Sequence, residues 1–163
     1  MKTMLDVVSE QPLFKDLRPE HLRSLAENAR FRTFRPGEIV FRNGDLAKRF
    51  YVVISGRIDV EATTEAGQPV RLQTTGPGEL LGWSWNFSNS IRQLHARAAE
   101  PTEVIYFRGD PLRRQCDQDH DLGYELFRRV SEQMMQRLQA TRRVLLAQTS
   151  LPVTTSRGQS VEK

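Results

Sequence analysis

Apolar residues change their spacing twice along the chain, and the changes divide it into three parts. Over 11–29 they fall at helical spacing, with Leu22 and Leu25 on one face. Pro19 stands where a helix can open without losing a hydrogen bond, so a short helical pair is predicted. Over 30–107 the runs shorten to 32–34, 39–41, 50–54, 58–62, 70–74 and 104–107, each rich in β-branched and aromatic residues. Ile58, Val60 and Ala62 alternate with Arg57, Asp59 and Glu61, which gives that strand one wet face. Turn residues separate the runs: Pro36-Gly37, Asn43-Gly44-Asp45, Ser55-Gly56, Ala66-Gly67 and Gly76-Pro77-Gly78. After Gly109 the helical period returns. Asp110 can cap a helix opened by Pro111, and a second helix runs from about 119 to about 148. Its stripe is Leu122, Leu126, Val130, Met134, Leu138 and Leu145, interrupted at Thr141.

This order predicts a mainly β chain with flanking helices. Short strands at this spacing mean an antiparallel sandwich or barrel, and the expectation is a jelly-roll β-barrel with short N-terminal helices and a long C-terminal helix. The division expected is an N-terminal extension over 1–12, one domain over 13–150 and a disordered tail over 151–163, rich in Thr and Ser.

Composition narrows the class without naming a chemistry. With 163 residues, 38% hydrophobic and 27% charged, the chain can bury a core without disulfides or metals. Its one cysteine, Cys116, cannot form an internal disulfide. The N-terminus carries Asp6 and Glu10 rather than a secretory apolar run, and no stretch reaches the length of a membrane span, so a cytoplasmic location is expected. The 24 basic residues are interspersed with 20 acidic ones, which describes a mixed, solvated surface. The arginines of the last helix, Arg128, Arg129, Arg137, Arg142 and Arg143, belong to that surface.

The segment 76–99 carries the chemistry. A glycine-rich turn leading into one helical turn points free backbone N–H groups outward, which suits an anion. A carboxylate at Glu79 would repel a phosphate but accept a hydrogen bond from a ribose hydroxyl. Arg92 could neutralise the phosphate. An anion cradle, a hydroxyl acceptor and an arginine together describe a cyclic phosphate on a ribose.

These residues, with others, resemble the cyclic-nucleotide-binding domain family. The resemblance covers roughly 13–147. It is carried by Leu13, Phe14 and Leu17, by Phe34, Pro36, Gly37, Glu38, Ile39 and Phe41, by Asn43-Gly44-Asp45, by Tyr51 to Gly56, and by the run from Gly76 to Leu80. It implies a phosphate-binding cassette in which Gly78 and Glu79 form the Gly-Glu pair and Glu79 holds the ribose 2′-OH. Leu80 and Leu81 would supply backbone N–H groups or apolar contacts, with Gln93 beside Arg92. The implied ligand is cAMP or cGMP. The stretch between Glu79 and Arg92 is longer than the family's, carries Trp83, Trp85 and Phe87, and places Gln93 and Leu94 where small residues are usual. Arg97 is the substitute for Arg92 should the loop register slip.

Other chemistries find little support. His95 has no His-x-His partner for a cupin-type metal site, and Ser84 no nucleophile elbow. His21 and His120 are expected at the surface, and Cys116 to be inert on a helix. No catalytic constellation is present, so no enzyme, metal or cofactor is expected. About fifteen residues follow the last helix, too few for a DNA-reading module. The expectation is therefore a stand-alone sensor acting on an unidentified protein partner in trans, with a homodimer through the C-terminal helix. The alternative is a degenerate scaffold whose Trp83 and Trp85 fill the pocket, leaving a protein-interaction or dimerisation module.

Overall fold

The computed structural model describes residues 1–86 and 90–149, apart from the side chains of residues 85 and 86. Strand patterning dictates two antiparallel sheets laid face to face. Their strands are β1 (Ala29–Phe34), β2 (Ile39–Phe41), β3 (Arg49–Ser55), β4 (Ile58–Thr63), β5 (Pro69–Thr75), β6 (Leu80–Leu81), β7 (His95–Ala98) and β8 (Thr102–Arg108). One sheet has the order β1-β8-β3-β6 and the other β2-β7-β4-β5. This is the jelly-roll-like architecture expected, built as two separate four-stranded sheets.

Period two decides which side chains meet between the sheets. Tyr51 and Val53 of β3, Ile58 and Val60 of β4, Ala96 and Ala98 of β7 and Val104 of β8 share one core there. The alternate residues of β3 and β8 face the helices, where the Phe107 ring meets Phe14 edge-on and Phe50 at a tilt, each with centroids 5.8 Å apart. Each such buried ring contributes about 1.5–3 kcal/mol from its apolar area. Gly56 turns the chain from β3 to β4 at φ +87°, and a Cβ there would stand 2.4 Å from the Pro101 carbonyl oxygen, so only glycine fits.

The helices are α1 (Met4–Ser9), α2 (Pro19–Asn28), α3 (Gly109–Gln118) and α4 (His120–Thr149). A 3-10 turn at Pro12–Phe14 takes the place of the first member of the expected pair. Helix α1 was not expected, although Thr3 and Asp6 form a reciprocal capping box at its start. Helix α3 opens at Gly109, ahead of Pro111, so Asp110 sits in its first turn and pairs with Arg113 instead of capping.

His21 departs most from expectation. It is 2% exposed, and its Nε2 lies 3.1 Å from Asp119 Oδ2 and 3.1 Å from Arg18 Nη2, tying α2 to the junction of α3 and α4. Burial pushes the Cys116 thiol up to about 11, which keeps it protonated and unreactive.

The structure divides into Met1–Gln133 and Met134–Lys163. Within the first unit Leu122 and Leu126 of α4 are buried. In the second, Met135, Leu138, Val144, Leu145 and Leu146 are exposed. Among the described residues no helix is long and apolar enough to cross a membrane.

Candidate functional site

A turn and a strand hold Arg92 from opposite sides. Its backbone N–H donates to the Asp45 carbonyl at 2.8 Å, and its carbonyl accepts from the Gly44 N–H at 2.9 Å. The Asn43-Gly44-Asp45 turn thus clamps the residue, and the Leu46–Ile91 bridge extends the clamp. The side chain runs inward and is 4% exposed. Its Nη2 donates to the Arg49 carbonyl and its Nη1 to Ser84 Oγ at 3.2 Å. The guanidinium lies 4.3 Å over the Phe41 ring.

Gly82 shapes the opposite wall. It has φ +80°, and a Cβ there would lie 2.8 Å from Arg92 Nη1 and 2.9 Å from Nη2. The backbone can therefore approach the guanidinium closely only because residue 82 is glycine.

Beside this pair opens a cavity of about 350 Å³, lined by Phe41, Asp45, Lys48, Arg49, Tyr51 and Arg92 among others. Burial pushes the Arg92 pKa down from its ordinary value, while Tyr51 and Asp45 oppose the shift. Arg92 Nε is buried with no hydrogen-bond partner. Among the described residues no carboxylate lies at ion-pair distance from this side chain. Other arginines have such partners: Arg57 with Asp59, Arg97 with Glu61, Arg128 and Arg129 with Glu125. A buried cation without a counter-ion is costly, and an anion entering the cavity would offset that cost.

The remaining residues singled out from sequence are placed differently. Gly78 donates to the Val53 carbonyl at 2.8 Å and packs against Pro12, with a Cβ built there 3.0 Å from the proline ring. The Glu79 side chain is exposed and does not line the cavity. Leu80 and Leu81 are core residues, and the Leu80 N–H donates to Gln133 Oε1 at 3.0 Å. The Gly78–Leu80 segment therefore faces Pro12 and α4. Gln93 is exposed and donates to the Ile91 carbonyl at 3.3 Å. Arg97 lies outside the cavity, donating to the Gly37 carbonyl at 2.9 Å and pairing with Glu61. His95 Nδ1 accepts from the Asn43 N–H at 3.3 Å. Trp83 is exposed and does not fill the cavity. The Trp85 side chain and Phe87 lie outside the described residues.

The structure thus places Arg92, singled out from sequence, at this cavity, in contact with Gly82, Ser84 and Arg49, which sequence reasoning did not assign to a binding site. A second glycine four residues after Gly78, directly before the aromatic cluster, was the available sign of Gly82.

Comparison with known proteins agrees with this architecture. Residues 31–119 match the family model described as the cyclic nucleotide-binding domain. Over 125 residues the chain is 35% identical to the cyclic AMP receptor protein of Thermus thermophilus, covering 74% of this chain and 58% of that one. The crystal structure of the Thermus thermophilus catabolite activator protein superposes with a TM-score of 0.67 at 25% identity, covering 85% of this chain and 63% of that one. A cyclic nucleotide-binding domain from Methylobacillus flagellatus shares the fold, with a TM-score of 0.76 at 18% identity over 92% of this chain and 84% of that one. The chain spans 58% of the length of the Thermus receptor. With a family model covering more than half of its residues, the chain belongs to the cyclic nucleotide-binding domain family.

Proposed function

We propose that the chain is a regulatory module that binds a cyclic nucleotide in the Arg92 cavity and transmits occupancy through its helices to a partner in trans. The buried Arg92 guanidinium, its Nε unpartnered and no carboxylate at ion-pair distance among the described residues, carries this reading. The name of the Thermus receptor favours cAMP as the ligand over cGMP.

In this reading the cassette begins at Gly82 rather than Gly78. Arg92 and Ser84 meet the ring phosphate, and Phe41 and Tyr51 pack against the rest of the ligand. Starting four residues later also accounts for the excess length between Glu79 and Arg92. Trp83 then stands where the family places the ribose-binding glutamate, and Glu79 leaves the site.

The reading includes a homodimer through α4. Met134, Leu138, Thr141 and Leu145 follow 4-3-4 spacing, which is coiled-coil geometry, and both Leu138 and Leu145 are exposed.

A second reading, an interaction module that binds no nucleotide, draws support from one observation. Arg92 Nη2 already donates to the Arg49 carbonyl and its Nη1 to Ser84 Oγ, so the guanidinium is held in place without a ligand. Thermal-shift titration with cAMP and cGMP separates the two readings. A ligand at one hundred times its Kd adds about 2.7 kcal/mol of stability. No shift with either nucleotide leaves the interaction module.

A further inference from the structure

The cavity holds more positive charge than one phosphodiester balances. On β3 the side chains alternate: Phe50 packs on Phe107 towards the helices, while Tyr51 and Val53 belong to the core between the sheets. Arg49 occupies the same inward row, two residues before Tyr51, where the pattern calls for an apolar residue. Its guanidinium lies 4.8 Å over the Tyr106 ring, and Tyr106 packs against that same core. Among the described residues it has no carboxylate at ion-pair distance. Lys48, at the exposed rim of the cavity, likewise has none.

Three cations, Lys48, Arg49 and Arg92, thus face one carboxylate, Asp45, an excess of two positive charges. Arg92 Nη2 donates to the Arg49 backbone carbonyl, and both residues line the same cavity. Like charges lining one cavity repel, and an anion between them offsets that repulsion. A cyclic mononucleotide supplies one negative charge and leaves the other cation unmatched.

We infer that the preferred ligand carries two negative charges, one met by Arg92 and the other by Arg49 with Lys48. Its chemical class is a nucleotide bearing either a terminal phosphate monoester or two phosphodiester groups. The inference rests on the cavity being a nucleotide site, as proposed above.

The test is isothermal titration of the full chain with cAMP and cGMP, with AMP and GMP, and with cyclic di-AMP and cyclic di-GMP, at low and high salt. The expected result is that a dianion of one class binds at least about tenfold tighter than either cyclic mononucleotide. The two dianion sets show which source of charge the site takes. Arg49→Gln should bring that ratio to within about threefold, and Lys48→Gln, an exposed substitution, should lower it should the first variant not fold. The inference is overturned if cAMP or cGMP binds as tightly as every dianion, or if neither substitution changes the ratio; the cavity then remains a cyclic mononucleotide site. Absence of binding by all six nucleotides overturns both the inference and the reading beneath it.

Discussion

Arg92 and Gly82 are complementary surfaces: the guanidinium occupies the space that a side chain on residue 82 would need, 2.8 Å from the position of its Cβ. Gly82→Ala should therefore act twice. Forcing alanine to φ +80° costs about 1–3 kcal/mol of stability, readable as a lower urea midpoint. Pushing the guanidinium aside should also weaken nucleotide binding. Unchanged affinity in a folded Gly82→Ala protein would falsify the placement of the cassette at Gly82.

Arg92→Gln keeps a hydrogen-bonding side chain of lower volume and removes the charge. Because hydrogen bonds to charged groups are worth about 1.5–3 kcal/mol, affinity should fall about tenfold to a hundredfold. Circular dichroism should show the fold retained, and titration calorimetry measures the loss. An affinity within twofold of the parent, about 0.4 kcal/mol, would remove Arg92 from the site.

Glu79→Ala provides the opposite control. An exposed side chain outside the cavity should change affinity by less than about twofold, well inside the range of surface substitutions. If binding disappears, the cassette starts at Gly78 after all.

Acid should loosen the junction of α3 and α4. The Asp119 carboxyl is held below its ordinary value, first by the Leu122 N–H at 3.1 Å, and also by His21 and Arg18. A depressed folded-state value means that the contribution is complete above the unfolded value, near pH 4, and is lost as pH falls through the folded one. Urea unfolding between about pH 6 and pH 3 should show a shallower decline for Asp119→Asn than for the parent. Parallel curves would assign the acid sensitivity to other carboxylates, such as Glu125, which is held down by Arg129 and Arg128.

Leu138→Glu combined with Leu145→Glu places charge on the exposed a/d-type face of α4. Light scattering after size exclusion should show the parent as a dimer and the double variant as a monomer. A monomeric parent would dispose of the homodimer.

How much of this was legible depended on whether local pattern or spatial neighbours decided each residue. Strand β4 could be read because Ile58 and Val60 alternate with charged residues, and burial follows that alternation. Gly56 was assigned to a turn, and only the three-dimensional approach of Pro101 shows why nothing larger fits. His21 misled because a histidine on a polar helix reads as exposed; it is buried, and its partner Asp119 lies 98 residues away. Arg49 was hidden at the edge of an apolar run that seemed to begin at Phe50. Between Gly78 and Gly82 the sequence could not choose a cassette start, because the two glycines are four residues apart and both sit at positive φ. The glutamate after Gly78 matches the family's pair, whereas a tryptophan follows Gly82.

Strand β6 contains only Leu80 and Leu81, yet it has a different neighbour at each end. At one end Gly82 touches the guanidinium; at the other the Leu80 N–H is bonded to Gln133. Both leucines are wedged in the core and cannot absorb a displacement. In the proposed reading this dipeptide is a stiff pushrod, and a nudge delivered where the charge sits would arrive on the long helix within the span of three residues.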